Sequence, residues 1–135
     1  MKSKAIAILL VLLTTVVPAN AESLNNLFLV ADDDEGTFLG SFEDNEYSSN
    51  SIFNELGRYG SNLSSTSIFN QLGKFGSELS SYSAFNKWAT HPPIIVDSKG
   101  NSYGRLSINR NIEGVTDASY KLAKRLKVRW NIMNK

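Results

Sequence analysis

Residues 48–89 repeat themselves: SSNSIFNELGRYGSNL is followed by SSTSIFNQLGKFGSEL and then by the shortened SSYSAFNKWA. The period is 16 residues, and the first two copies are identical at 11 of 16 positions, with Glu55/Gln71, Arg58/Lys74 and Tyr59/Phe75 as conservative changes. No other feature constrains the fold as strongly, because a unit this short cannot bury an apolar face alone and must lean on its neighbours. Sixteen residues are too few for a helix pair, which takes about 34 in helical solenoids. No alternating five-residue strand fits between the glycines either.

Within each copy, Ser51 and Ser67 stand where helix N-caps would, and Ile-Phe-Asn-x-Leu follows with apolar residues at i, i+1 and i+4. Gly57 and Gly73 stand where a left-handed residue ends a helical turn. The spacing predicts one to two helical turns and a bend per unit. Ile52, Phe53, Leu56 and Leu63 of the first copy then pack against Ile68, Phe69, Leu72 and Leu79 of the second. The third copy has Trp88 in place of leucine and Ala89 in place of glycine, as a capping unit does. Asn45-Glu46-Tyr47 echoes the ends of the later copies and reads as a decayed earlier one.

Two recurring sets are candidates for binding. Asn54, Asn70 and Asn86 form a ladder of amides that either contacts a ligand or caps backbone groups near the turns. Tyr59 and Phe75, flanked by glycines, are either an exposed aromatic row for sugars or peptides or part of a small core.

Ahead of the repeats, residues 1–21 have the layout of a secretory signal. Lys2 and Lys4 precede an uncharged, mostly apolar stretch from Ala5 to Val17, and Pro18 and an Ala19-Asn20-Ala21 cleavage pattern follow. That stretch is shorter than the ~20 residues a membrane-spanning helix needs. Cleavage between Ala21 and Glu22, and a soluble product in the periplasm or outside the cell rather than a membrane-anchored one, are the expectations. Residues 22–47 form an acidic segment containing Asp32-Asp33-Asp34-Glu35, which matches no calcium-binding spacing and reads as a solvated loop. Residues 91–135 open with Pro92-Pro93. They continue as a hairpin with strands Ile94–Val96 and Tyr103–Ile108 around the turn 97–101, then as a helix from Thr116 or Asp117. Val128 to Ile132 alternates like a further strand. The fold class expected is α+β: a small single domain of helical-turn repeats, a β-hairpin and a C-terminal helix.

Charge is divided unevenly. From Glu22 to Thr90 there are ten acids and three bases, and from His91 onward three acids and nine bases. Mutual neutralisation within the fold accounts for this better than a polyanionic partner such as nucleic acid. The alternative is that Lys121, Lys124, Arg125 and Lys127 lay the C-terminal helix on an anionic surface.

Catalytic signals are sparse. His91 is the only histidine and there is no cysteine, so thiolate chemistry and His-rich metal sites are excluded, and no phosphate-cradling loop or nucleophile elbow occurs. No metal or cofactor is called for, and a cell-envelope hydrolase built around His91 is the weaker alternative to a non-enzymatic binding or structural module.

The run from Tyr47 to Asn109, with its SIFN and YGS units ahead of PPIIVDSKGNSYG, resembles a pattern of small secreted bacterial proteins. The resemblance implies export of a repeat domain followed by a Pro-Pro strand and a D-x-x-G turn, and brings no site residue with it. Leu56, Leu63, Leu72 and Leu79 depart from that pattern, which has tyrosines there, and so tell against an aromatic row.

Overall fold

The computed structural model describes residues 24–135; the secretory-signal pattern lies outside them. A single turn of 3-10 helix, Leu24–Asn26, leads into β1 (Leu27–Val30), which turns back as β2 (Phe38–Ser41). After the repeats come β3 (Ile94–Asp97), β4 (Ser102–Arg105) and the helix α1 (Asp117–Met133). The four strands form one antiparallel sheet in the order β2-β1-β3-β4. With α1, this is the small single-domain α+β architecture that the hydrophobic pattern implies.

Alternation on the short strands gives the sheet two apolar faces. Leu27, Leu29 and Ile95 point into the main core with Leu39 and Tyr103, whereas Phe28, Val30, Ile94 and Val96 cluster on the other side. The hairpin lies where Pro92-Pro93 and the Asp97-to-Gly100 turn put it, although β4 stops at Arg105, short of the Ile108 expected. Thr116 caps α1 in a capping box with Ser119. The stripe Leu122, Ala123, Leu126 and Trp130 is buried at helical spacing, so 128–132 continues the helix instead of forming a strand. One more turn of that stripe places Trp130 in the core, and its burial outweighs the two-residue alternation around it.

The repeats contain no helix. Backbone N–H groups of Ser48, Ser51, Asn54, Gly57 and Gly60 each donate to the carbonyl three residues back; Ser64, Ser67, Asn70, Gly73 and Gly76 do the same one copy later. Ser80, Ser83, Asn86 and Ala89 close the series, with all these bonds at 3.0–3.5 Å. Bonds that recur only at every third residue make a chain of successive β-turns. Ser61 and Ser77 also donate to Gly57 and Gly73, four residues back, which absorbs the sixteenth residue of a unit otherwise built in threes.

Side chains explain why turns win. At the head of most turns a serine or asparagine oxygen accepts from the N–H two residues on, as in Phe53→Ser51, Leu56→Asn54, Leu63→Ser61 and Phe69→Ser67. Those N–H groups are withdrawn from a helical ladder, so the helix-cap reading of Ser51 and Ser67 gives way to a turn at every such residue. The glycines serve close approach, not left-handed geometry: a Cβ on Gly60 would lie 2.1 Å from the Asn54 carbonyl oxygen.

Equivalent residues of the copies are buried in register: Ile52, Ile68 and Ala84, and Phe69 and Phe85 with ring centroids 6.3 Å apart. Phe53 is partly buried against them. Leu56, Leu63, Leu72 and Leu79 are not in that core; they are 97%, 86%, 91% and 91% exposed. Only the first half of the packing expected between copies is therefore present.

The coil of turns joins the sheet at its β2 edge, where Ser41 and Ser51 form a parallel bridge that covers an otherwise open strand. The C-terminal half of α1 holds the coil from the other side. Trp130 Nε1 donates to the Gly76 carbonyl at 2.9 Å, Asn134 Nδ2 to Phe69 at 2.9 Å, and Asn62 Nδ2 to Met133 at 2.7 Å.

Candidate functional site

The asparagine ladder is part of the framework. Asn54, Asn70 and Asn86 each donate Nδ2 to the carbonyl six residues back, at 3.0, 3.0 and 2.9 Å, and accept with Oδ1 from the N–H two residues on, at 3.1, 3.0 and 2.9 Å. One side chain thus ties the start of a unit to its middle. The two aromatic candidates do not form an exposed row: Phe75 is 5% exposed in the core, and Tyr59 is half-buried, edge-on to Phe38 with centroids 5.0 Å apart. In a core this small both rings are held inside.

What the coil exposes instead is two rows of apolar side chains, four leucines with an aromatic residue in each row. Tyr47, Leu63 and Leu79 recur at the 16-residue period, and so do Leu56, Leu72 and Trp88. All six are 75–97% exposed. Each sits two residues after an asparagine or serine whose oxygen holds its backbone N–H. The backbone under each side chain is therefore fixed while the side chain itself projects into solvent. The residue preceding three of them is held by the end of α1: Glu55 by Arg129 at 3.3 Å, Glu78 by Lys127 at 2.9 Å, and Asn62 through Met133. Leu56, Leu63 and Leu79 thus each follow a residue bound to the C-terminal part of α1; Val128 and Ile132 of that helix are also exposed, at 58% and 64%.

Of the five basic residues of α1, the four in the candidate surface-binding set, Lys121, Lys124, Arg125 and Lys127, separate. Lys127 is committed to Glu78, Asn131 and the face of Trp130. Lys121 pairs with Asp117 at 3.1 Å and, with Arg125, borders a half-open groove of about 480 Å³ floored by Leu27, Ile95 and Leu122. Lys124 lies near the Tyr120 ring. Three ion pairs, Arg105–Asp32, Lys127–Glu78 and Arg129–Glu55, join the basic end of the chain to the acidic part.

The acidic run is not simply a solvated loop. Asp32 and Asp33 have side chains only 10% and 5% exposed; Asp33 accepts from the Thr37 N–H at 3.0 Å and hydroxyl at 2.7 Å and lies 3.6 Å from Lys74. Burial opposes ionisation of Asp33, but these bonds and Lys74 outweigh it and hold the carboxyl below its usual value. Asp97 behaves alike: burial works against the charge, and the hydrogen bonds from Asn101, Lys99 and Tyr103 overcome it. Both carboxylates stabilise turns. His91 stacks on Tyr82 at 5.5 Å, and its Nδ1 lies 2.8 Å from the Thr90 hydroxyl. Among the described residues no group of three or more His, Asp or Glu is placed to hold a metal ion, and no helix is long and apolar enough to cross a membrane. No family model, curated protein or solved structure matches this chain.

Proposed function

We propose that this chain is an exported, non-enzymatic binding or structural module of the cell envelope or extracellular space, and that it engages its partner through the two rows of exposed apolar side chains on the repeat coil. The observation that carries this reading is the near-complete exposure of four leucines on a rigidly bonded backbone. Single exposed leucines are ordinary on protein surfaces, but a periodic set standing on fixed turns is the usual mark of a surface that something covers. The signal-like N-terminus and the resemblance to secreted repeat proteins support export. The helix-centred alternative is weaker, because Lys127 is already spent on Glu78 and the remaining three bases are divided between Asp117, Tyr120 and the groove.

The test is capture from envelope and extracellular fractions by the immobilised protein, alongside the variant Leu56→Ser/Leu63→Ser/Leu72→Ser/Leu79→Ser. Capture by the parent that the variant loses, at unchanged melting temperature, is the expected result. Equal capture by both overturns the role given to the rows.

A further inference from the structure

Resting on that reading, we infer that the partner covering the two rows is a second copy of this chain, in a two-fold pairing that sets each row against the other. The rows have the same length and the same 16-residue spacing. In a two-fold contact, residue i of one copy meets j of the other and j meets i. Running the rows antiparallel brings Tyr47 to Trp88, Leu63 to Leu72 and Leu79 to Leu56, so that every projecting side chain finds an apolar counterpart. In each pair of rows the aromatic residues meet at one end, and leucines meet in the middle and at the other end. Exposures of 86–97% also mean that the leucines stand clear of one another, leaving gaps into which the other copy's side chains can insert.

Area and charge agree with this occupant. At roughly 100 Å² of apolar surface per bare leucine and roughly 150 Å² per exposed ring, the six residues offer about 700 Å². A standard stable interface takes about 800 Å² from each partner, so the six residues supply most of what one needs. The segment 45–90 carries three acids (Glu46, Glu55, Glu78) and three bases (Arg58, Lys74, Lys87). That balance neither repels a second copy nor gives a strongly charged partner a matching field.

Sedimentation equilibrium of the purified protein reads the stoichiometry. A dimer for the parent, and a monomer with an unchanged circular dichroism spectrum for Leu63→Ser/Leu72→Ser, are expected. The chain has no cysteine, so the geometry can be read directly by mixing the single variants Leu63→Cys and Leu72→Cys and oxidising them. A disulfide joining one variant to the other should exceed self-linking of either alone. A parent that stays monomeric up to its solubility limit, or self-linking that dominates in each variant, overturns the two-fold pairing. If that monomer still captures envelope material, or floats with phosphatidylglycerol vesicles, in a way that Leu63→Ser/Leu72→Ser abolishes, the second-copy inference fails while the rows keep their role. If neither self-association nor capture depends on the rows, both fail.

Discussion

Replacing Asn70 by alanine separates a framework asparagine from a ligand contact. The change removes the Nδ2 bond to Ser64 O and the Oδ1 bond to Leu72 N, both 3.0 Å, in the middle copy of the coil. Water replaces the partner of the exposed Leu72 N–H at small cost. The Ser64 carbonyl is partly buried and loses a well-placed donor, so the two losses together amount to about 2 kcal/mol. For a domain of this size, at roughly 4 °C per kcal/mol, that lowers the melting temperature by about 8 °C. Asn70→Asp sharpens the test, because it keeps the acceptor for Leu72 N but turns a carboxylate oxygen toward Ser64 O. The charged form is disfavoured in the folded state, so the folded pKa rises above the unfolded value of about 3.9. Its penalty should be full at pH 7 and should shrink as pH falls through the folded pKa toward that value, where a protonated carboxyl can donate in place of the amide. Differential scanning fluorimetry between pH 4 and 7 reads both variants. Alanine shifts below about 2 °C, together with lost capture of envelope material, would refute the framework role and return the ladder to ligand binding.

Phe69, fully buried between the copies, should cost about 3–5 kcal/mol on replacement by alanine in urea unfolding, and an unchanged midpoint would mean the copies do not support one another. Asp97 accepts four hydrogen bonds in the β3–β4 turn, at 2.9 to 3.1 Å, and is held below its usual pKa. Its contribution is complete above about pH 4 and lost as pH falls through the folded pKa, so the stability gap between parent and Asp97→Asn should close in acid; a gap that stays constant with pH refutes it. Replacing Lys121, Lys124, Arg125 and Lys127 together by glutamine should cost on the order of 1 kcal/mol, chiefly through Lys127–Glu78, and leave heparin retention unaltered. Lost retention at unchanged stability would instead support the surface-binding helix.

The β3–β4 hairpin and the helix were legible because their signals are local and strong: Pro-Pro before an apolar triplet, a turn with Gly100 at positive φ, and a Thr116 cap ahead of a 3.6-period stripe; β1 and β2 were not, because they are four residues each and flank the acidic run inside the segment 22–47. Where the sequence reading failed inside the repeats, the cause was chemistry that looks alike in two structures. A serine ahead of Ile-Phe-Asn reads as a helix cap, and the same hydroxyl accepting from the N–H two residues on starts a β-turn. What separates them is the return of serine, asparagine or glycine at every third position, from Ser48 through Ser51 and Asn54 to Gly57, which is too dense for caps.

The exposed rows were harder to read, because inward and outward residues share one local pattern. Phe53, Phe69 and Phe85 follow a serine by two positions just as Leu63 and Leu79 do, yet Phe69 and Phe85 are buried and the leucines are not. The winding of the coil decides which turn faces the sheet and α1, and winding is a property of all five turns of a unit together. One signal does track the outcome: Ile52, Ile68 and Ala84 precede the inward phenylalanines, whereas Glu46, Glu55, Asn62, Gln71, Glu78 and Lys87 precede the outward residues. A turn facing the core buries both of its middle side chains, and a turn facing solvent needs only one of them to be polar for solubility. Phe75, which follows Lys74 and is buried, shows the limit of that signal. There the ring lies in the core while Lys74 reaches out to Asp33. The apolar member of each outward turn is therefore the one position in the coil that neither turn chemistry nor core packing accounts for, and it is at those positions that selection by a partner is to be sought.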